Sequence, residues 1–329
     1  MPDSPQKQTI DIFQQLNRAN AIVQCFGMAN KIGVFDCLRR GQLTGTQLAE
    51  QLKLSFRPLE LLMGQLCETG YVEKYGDDYA LSMLGKMLPE DYLDLGDRYW
   101  NQLESWVRTG RKTFDPQQSL ESTEYAIQGA ALEWMSTPNA MDLIEVLNLK
   151  QGGDGIRVVD LACGSGVYGA AIGYHDQQAR VFFVDQQDQL QRAKETAGSI
   201  DITDRCQFIG ADPKAYRSQF LVDLVVIANR CRCLGDDQLG QLIQTALRCL
   251  QPEGEIAIID QMPEEDHWNL DQTTEALSVE MRTPQGRLRT REELSAVLYA
   301  NGFTEAMYRD LKSAPATHGV LIAGKKPGQ

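Results

Sequence analysis

Apolar positions along the chain follow two rhythms, and the change comes near residue 150. From Ile10 to Phe26 they recur at Ile12, Phe13, Leu16, Ala19, Ile22 and Val23, the spacing of one helix face. Thr44 reads as the N-cap of a short amphipathic helix. Pro58 to Cys67 places Leu59, Leu61, Leu62 and Leu66 on another helix, which Gly70 ends. Tyr71 to Ser82 then alternates around a Gly76-Asp77 turn, predicting a two-stranded hairpin. Residues 92–150 read as further helix carrying Trp100, Trp106 and Trp134, aromatics expected in the core, and Gln151 to Gly155 reads as a linker.

From Ile156 onward strands and helices alternate. Strands are predicted over Ile156 to Ala162, Ala179 to Val184, Cys206 to Ile209, Leu221 to Ala228 and Glu255 to Ile259. The fourth is apolar except for Asp223, as a central parallel strand should be. Helices are predicted from Ala170, over Leu190 to Thr196 and over Leu239 to Leu250. Another opens at Thr290 with a capping box to Glu293 and stops at Asn301-Gly302. Two last strands fall near Met307 and at Val320 to Ala323. Such alternation predicts an α/β fold, a parallel sheet with helices on both faces.

Charge narrows the function. The 329 residues carry a formal net charge of −13, which repels a phosphate backbone. Helix, helix, hairpin is the order of a winged helix, but Phe56 to Gly70, where a reading helix would lie, offers only Arg57 against Glu60 and Glu68. No nucleic-acid partner is expected, and the apolar helices are better suited to a dimer interface or to closing a pocket. No apolar run approaches the ~20 residues of a membrane span, so no membrane partner is expected. Met1 to Gln8 is polar and lacks the core of a secretion signal, which predicts a cytoplasmic protein. The eight cysteines show no zinc spacing, so no metal is expected and they read as small buried apolar residues.

The chemistry gathers where the first strand meets its helix. Gly164, Gly166 and Gly169 form G-x-G-x-x-G, a spacing that suits several adenosine cofactors. Asp160 precedes the glycines, where it would repel a pyrophosphate but suit the ammonium of a methionine moiety. Asp185 ends the second strand, placed to accept hydrogen bonds from ribose hydroxyls. Asp212 follows the third and can accept from an adenine amino group. Acids at three successive strand ends, with the glycine loop, point to S-adenosylmethionine rather than a nicotinamide dinucleotide.

On these residues, and on Leu250 to Gly254, Gly286 to Thr290 and Asn301 to Phe303, the chain resembles class I methyltransferases, specifically small-molecule O-methyltransferases with an N-terminal winged-helix dimerisation domain. The resemblance implies a Rossmann-like sheet of seven strands, the last antiparallel. It implies a dimerisation region over 1–95, a helical connector over 96–150 that contributes to the substrate pocket, and a cofactor-binding catalytic domain over 151–329. Asp160, Gly164, Gly166, Asp185, Asp212 and Asn229 are the expected cofactor contacts, and a natural-product-like small molecule is the expected acceptor.

The departures fall on the catalytic base. After its fourth strand the family reads H-D-W-x-D-E, and the histidine deprotonates the acceptor. Here Asn229 to Asp237 places Arg232 at that position, and an arginine stays protonated. Of two glutamates that hold the histidine in plant members, the first falls on Asp260 and the second on Leu288. Arg232 and Asp260 are the expected catalytic-site residues, with Arg232 paired to Asp260 or to an anionic substrate group. Three accounts follow: an acceptor already nucleophilic, a changed non-methylating (for instance pericyclic) chemistry, or a catalytically silent binding partner. Of the other candidates, His267 reads as a surface-loop residue rather than one at a pocket rim, Tyr168 packs on the cofactor or fills core space, and Arg287, Arg289 and Arg291 read as a solvated basic face rather than a contact for an anionic substrate.

Overall fold

A computed structural model describes residues 5–88, 95–111, 131–149, 155–265, 268–313 and 318–327. They divide into two units, Met1–Asn101 and Gln102–Gln329.

The first unit holds α1 (Pro5–Lys31), α2 (Val34–Arg40), α3 (Gly45–Leu52) and α4 (Phe56–Glu68), with a three-stranded antiparallel sheet in the order β1 (Leu43–Thr44), β3 (Asp78–Leu81), β2 (Val72–Tyr75). Thr44 caps α3 as its sequence suggests: its Oγ1 accepts from the Gln47 N–H at 3.1 Å while Gln47 Oε1 accepts from the Thr44 N–H at 2.8 Å. The rings of Phe26, Phe35 and Tyr71 meet at centroid distances of 4.7–5.0 Å over buried Leu48, Leu59 and Met63. The apolar face of α1 behaves differently. Ile12, Phe13, Leu16 and Val23 are all exposed, Phe13 by 66%.

The second unit carries α7 (Leu103–Thr109) and α8 (Ala131–Val146), then a seven-stranded sheet. Its strands are β4 (Arg157–Leu161), β5 (Arg180–Asp185), β6 (Cys206–Gly210), β7 (Val222–Ala228), β8 (Leu250–Asp260), β9 (Met307–Leu311) and β10 (His318–Gly324). The order is β6-β5-β4-β7-β8-β10-β9, with β10 antiparallel to both neighbours, a Rossmann-like arrangement. The helices are α9 (Val167–His175), α10 (Leu190–Ser199), α11 (Asp236–Cys249), α12 (Leu270–Arg282) and α13 (Arg291–Ala300). (In the first unit, α5 is Met83–Met87 and α6 is Asp97–Trp100.)

Alternate residues of the central strands serve opposite faces. Val159, Val225, Ile256 and Ile258 pack with Leu239, Leu242 and Ile243 of α11. Val158, Leu224, Val226 and Ala257 pack with Leu143 and Ile144 of α8 and Ile172 of α9. Asp223 accepts the Arg157 N–H at 2.7 Å, so its charge serves the strand start.

Three local expectations shift. β8 begins at Leu250 rather than Glu255, taking over the end of the predicted helix. β4 ends at Leu161 because Ala162 turns left-handed at φ 60°. Trp100 and Trp106 are half-buried rather than core, and the Trp134 side chain lies outside the described residues. Among the described residues no single helix is long and apolar enough to cross a membrane.

Candidate functional site

The chain crosses from β4 to β5 on one side and later returns to β7 on the other, so a crevice opens beyond the carboxyl ends of β4 and β7. Both strands leave through non-glycine residues in left-handed conformation, Ala162 at φ 60° and Asn229 at φ 55°. Such conformations cost roughly 1–2 kcal/mol each and gather where backbone must be aimed rather than merely connected.

On the β4 side, Asp160 and Asp185 have taken up the loop's own donors. Asp160 is fully buried, and its Oδ2 accepts the Gly169 N–H, in the first turn of α9, at 3.0 Å. Asp185 Oδ2 accepts the Gly164 N–H at 3.0 Å, and its Oδ1 accepts the Gln186 N–H at 2.8 Å. Gly169 has to be glycine, because a Cβ there would lie 2.9 Å from Asp160 Oδ2 and 2.8 Å from the Phe183 ring. Burial pushes the Asp160 carboxyl up to about 7, against the Gly169 hydrogen bond and helped by the negative charge of Asp185. Asp212 stands past β6, half-exposed. Its partial burial opposes ionisation, but the backbone N–H and ammonium of Lys214, the latter at 3.0 Å, hold it below the usual carboxylate range.

On the β7 side, Arg232 sits in a one-turn 3-10 segment, Cys231–Cys233, with its side chain 9% exposed. Its Nη1 donates to Asp260 Oδ1 at 2.8 Å and to Asn229 Oδ1 at 2.9 Å, and its backbone N–H donates to Asp260 Oδ2 at 3.1 Å. Asp260 ends β8, so the expected pair between Arg232 and Asp260 is present. Arg232 Nε lies 3.2 Å from Glu275 Oε1 on α12, a partner no motif announced. Tyr168 belongs to the same neighbourhood. Burial pushes its hydroxyl above the ordinary phenol range, with Arg232 opposing, Asp260 adding, Asn229 opposing and Asp160 adding.

Asn229 also ties in the last strand. Its Oδ1 accepts from His318 Nε2 at 2.9 Å, while His318 Nδ1 lies 3.2 Å from Asn139 Nδ2 on α8. His318 is thereby held between the amides of Asn229 and Asn139 and acts as a strut under Asn229. His175 is likewise structural, its Nε2 bonded to the Leu149 carbonyl at 3.0 Å, and His267 lies outside the described residues.

The three arginines after Gly286 do not form a solvated face. Arg289 is 2% exposed and donates to the carbonyls of Cys231 and Leu234, both at 2.8 Å, and to Asp236 Oδ1 at 2.7 Å. It therefore fixes the turn that carries Arg232. Arg287 pairs with Glu293 at 2.8 Å, and Arg291 pairs with Glu264 at 3.1 Å while stacking on Tyr308. Leu288, where the second glutamate was sought, is buried and apolar.

Residues 158–254, from β4 into β8, match the family model for a methyltransferase domain. No curated protein matches the sequence. Among solved structures, the chain is similar to a Nostoc punctiforme protein described as an O-methyltransferase, with a TM-score of 0.72 at 22% identity over 99% of this chain and all of that one. Human N-acetylserotonin methyltransferase, solved with S-adenosylmethionine, gives 0.73 at 19% identity over 99% of each chain. The mitomycin 7-O-methyltransferase gives 0.73 at 18% identity over 97% of this chain and 98% of its own. At such identities the likeness establishes the fold.

Proposed function

Starting from a chain whose residues 158–254 form a methyltransferase domain, we propose that it is an S-adenosylmethionine-dependent enzyme acting on a small, natural-product-like molecule. One observation carries the cofactor reading. The loop and helix-start N–H groups that would cradle a pyrophosphate are already given to carboxylates, Gly169 to Asp160 and Gly164 to Asp185. A dinucleotide would bring its phosphates against two acids. S-adenosylmethionine has no phosphate, carries an ammonium, and needs acceptors for its ribose and adenine.

Asp160 would then meet the ammonium, Asp185 the ribose hydroxyls and Asp212 the adenine amino group, with Gly164, Gly166 and Asn229 lining the pocket. Asp185 ends β5 at the mouth of the crevice, and a carboxylate accepts about four hydrogen bonds. The cofactor supplies a methyl group activated on a sulfonium. Arg232 takes no proton from the acceptor, because a guanidinium stays protonated near neutral pH. The chain's contribution is therefore to position an acceptor that is nucleophilic by itself and to exclude water. An arginine at the position where the family carries its base also supports the second reading, a family member whose chemistry no longer transfers methyl or is silent.

The exposed Phe13 and Leu16 face of α1 supports a homodimer built through a winged-helix N-terminal region. DNA recognition is disfavoured, since Arg57 on α4 is already paired with Glu60 at 2.7 Å.

Incubation with methyl-labelled S-adenosylmethionine and a panel of phenols, amines and thiols tests the enzyme reading. Label in an extractable product supports methyl transfer. Cofactor binding without label in any acceptor favours the second reading.

A further inference from the structure

The glycine loop is closed on itself and gripped from β5 and α10. The Gly166 N–H donates to the Cys163 carbonyl at 2.8 Å, which makes Cys163-Gly164-Ser165-Gly166 a tight turn with Gly164 and Gly166 left-handed at φ 54° and 71°. Asp185, at the end of β5, accepts the Gly164 N–H at 3.0 Å. Thr196 of α10 donates its hydroxyl to the Ser165 carbonyl at 2.7 Å. The buried face of α10 is Leu190, Ala193, Thr196 and Ala197, and Thr196 alone among them is polar. The loop lies so close to that face that a Cβ on Gly166 would come within 2.9 Å of Ala193 Cβ. The two grips differ in one respect. Asp185 is the acid assigned to the ribose, so its carboxylate serves the loop and the ligand at once. Thr196 and Ser165 are only 4% and 8% exposed, so neither ligand nor solvent competes for their bond.

We propose that Thr196 is a positioning residue for the methionine half of S-adenosylmethionine: its hydroxyl fixes the tilt of the turn and so aims Gly164 and the start of α9 at the ligand. The inference rests on the cofactor reading above and deepens it. A buried carbonyl that loses its donor is costly, so without the hydroxyl the turn rotates to find another partner. That rotation moves the backbone beside Asp160, the acid assigned to the ammonium. The acids assigned to ribose and adenine, Asp185 and Asp212, belong to the ends of β5 and β6, outside the turn. Thr196 therefore acts on the amino-acid end of the cofactor and not on its adenosine end.

The test uses S-adenosylhomocysteine and methylthioadenosine, which share the adenosine and a thioether, while only the first carries the amino-acid group. Both are titrated calorimetrically into the full chain. Thr196→Val keeps the side chain's shape and removes the donor; it should weaken S-adenosylhomocysteine by about tenfold and methylthioadenosine by less than about threefold. Thr196→Ser keeps the hydroxyl and should bind S-adenosylhomocysteine within about threefold of wild type. A role in folding alone would lower the melting temperature and leave the ratio of the two affinities where it was. An unmoved ratio in Thr196→Val, or a Thr196→Ser protein as weak as Thr196→Val, overturns the proposal. Should Thr196→Val not fold, Thr196→Ala is compared with Thr196→Ser by the same ratio. Failure of the wild type to bind S-adenosylhomocysteine would overturn the cofactor reading along with this one, and that titration is run first.

Discussion

Asp160 on β4 accepts the Gly169 N–H of α9 at 3.0 Å, so the start of this helix is closed by the protein's own carboxylate. The acid is inside the fold, and only a cationic group arriving from the crevice would repay its ionisation.

Burial pushes Asp160 up to about 7, so in the free protein it is neutral below that pH and charged above. Affinity for S-adenosylmethionine should rise about tenfold per pH unit below 7 and level off above it, and Asp160→Asn should flatten the slope. Folding carries the opposite sign. A carboxyl raised in the folded state from 3.8 to about 7 stabilises fully below pH 4, and that contribution is lost as pH climbs to 7. The rise is worth at most on the order of 4 kcal/mol. Asp160→Asn should therefore melt above wild type at pH 8 and lose that advantage at pH 4, as thermal scans at the two pH values would show.

Arg232 and Asp260 form a buried pair, so removing one partner should cost more than removing both. Arg232→Met is expected to destabilise by about 3–5 kcal/mol, and Asp260→Asn added to it should recover part of that loss. Denaturant titration of the four proteins measures the cycle. Additive effects would mean that the pair stores no coupling.

Arg289 satisfies two buried carbonyls that water does not reach. Arg289→Leu should lose about 2–4 kcal/mol by the same measurement. Asp236→Ala, at the exposed end of the same ion pair, should lose under about 1 kcal/mol.

The α1 face predicts self-association. Phe13→Asp with Leu16→Asp should convert a dimer to a monomer in sedimentation velocity without lowering the melting temperature of the second unit. A wild-type monomer at tens of micromolar would contradict the dimer reading.

Much of this architecture was visible in the alternation after Ile156, because strands buried on both faces must be apolar and their helices must be amphipathic. The three acids could be placed because each stands at or just past the end of a recognisable strand. Glu275 could not, since it sits on a polar helix fifteen residues past Asp260 and only the fold turns it toward Arg232. His318 was a lone histidine before its strand joined β8 and brought it under Asn229. Arg289 looked solvated between two other arginines because spacing does not reveal burial outside helix and strand. Periodicity showed that α1 has an apolar face, but a face says nothing of what covers it. β1, two residues long, was too short to leave a pattern.

The cofactor claim is tested most directly by calorimetric titration of the full chain with S-adenosylmethionine, S-adenosylhomocysteine and NAD. The account predicts micromolar binding of the first two, loss of at least a hundredfold in Asp185→Ala, and no heat with NAD. Tight NAD binding, or no binding of either adenosyl compound by well-folded protein, would contradict it.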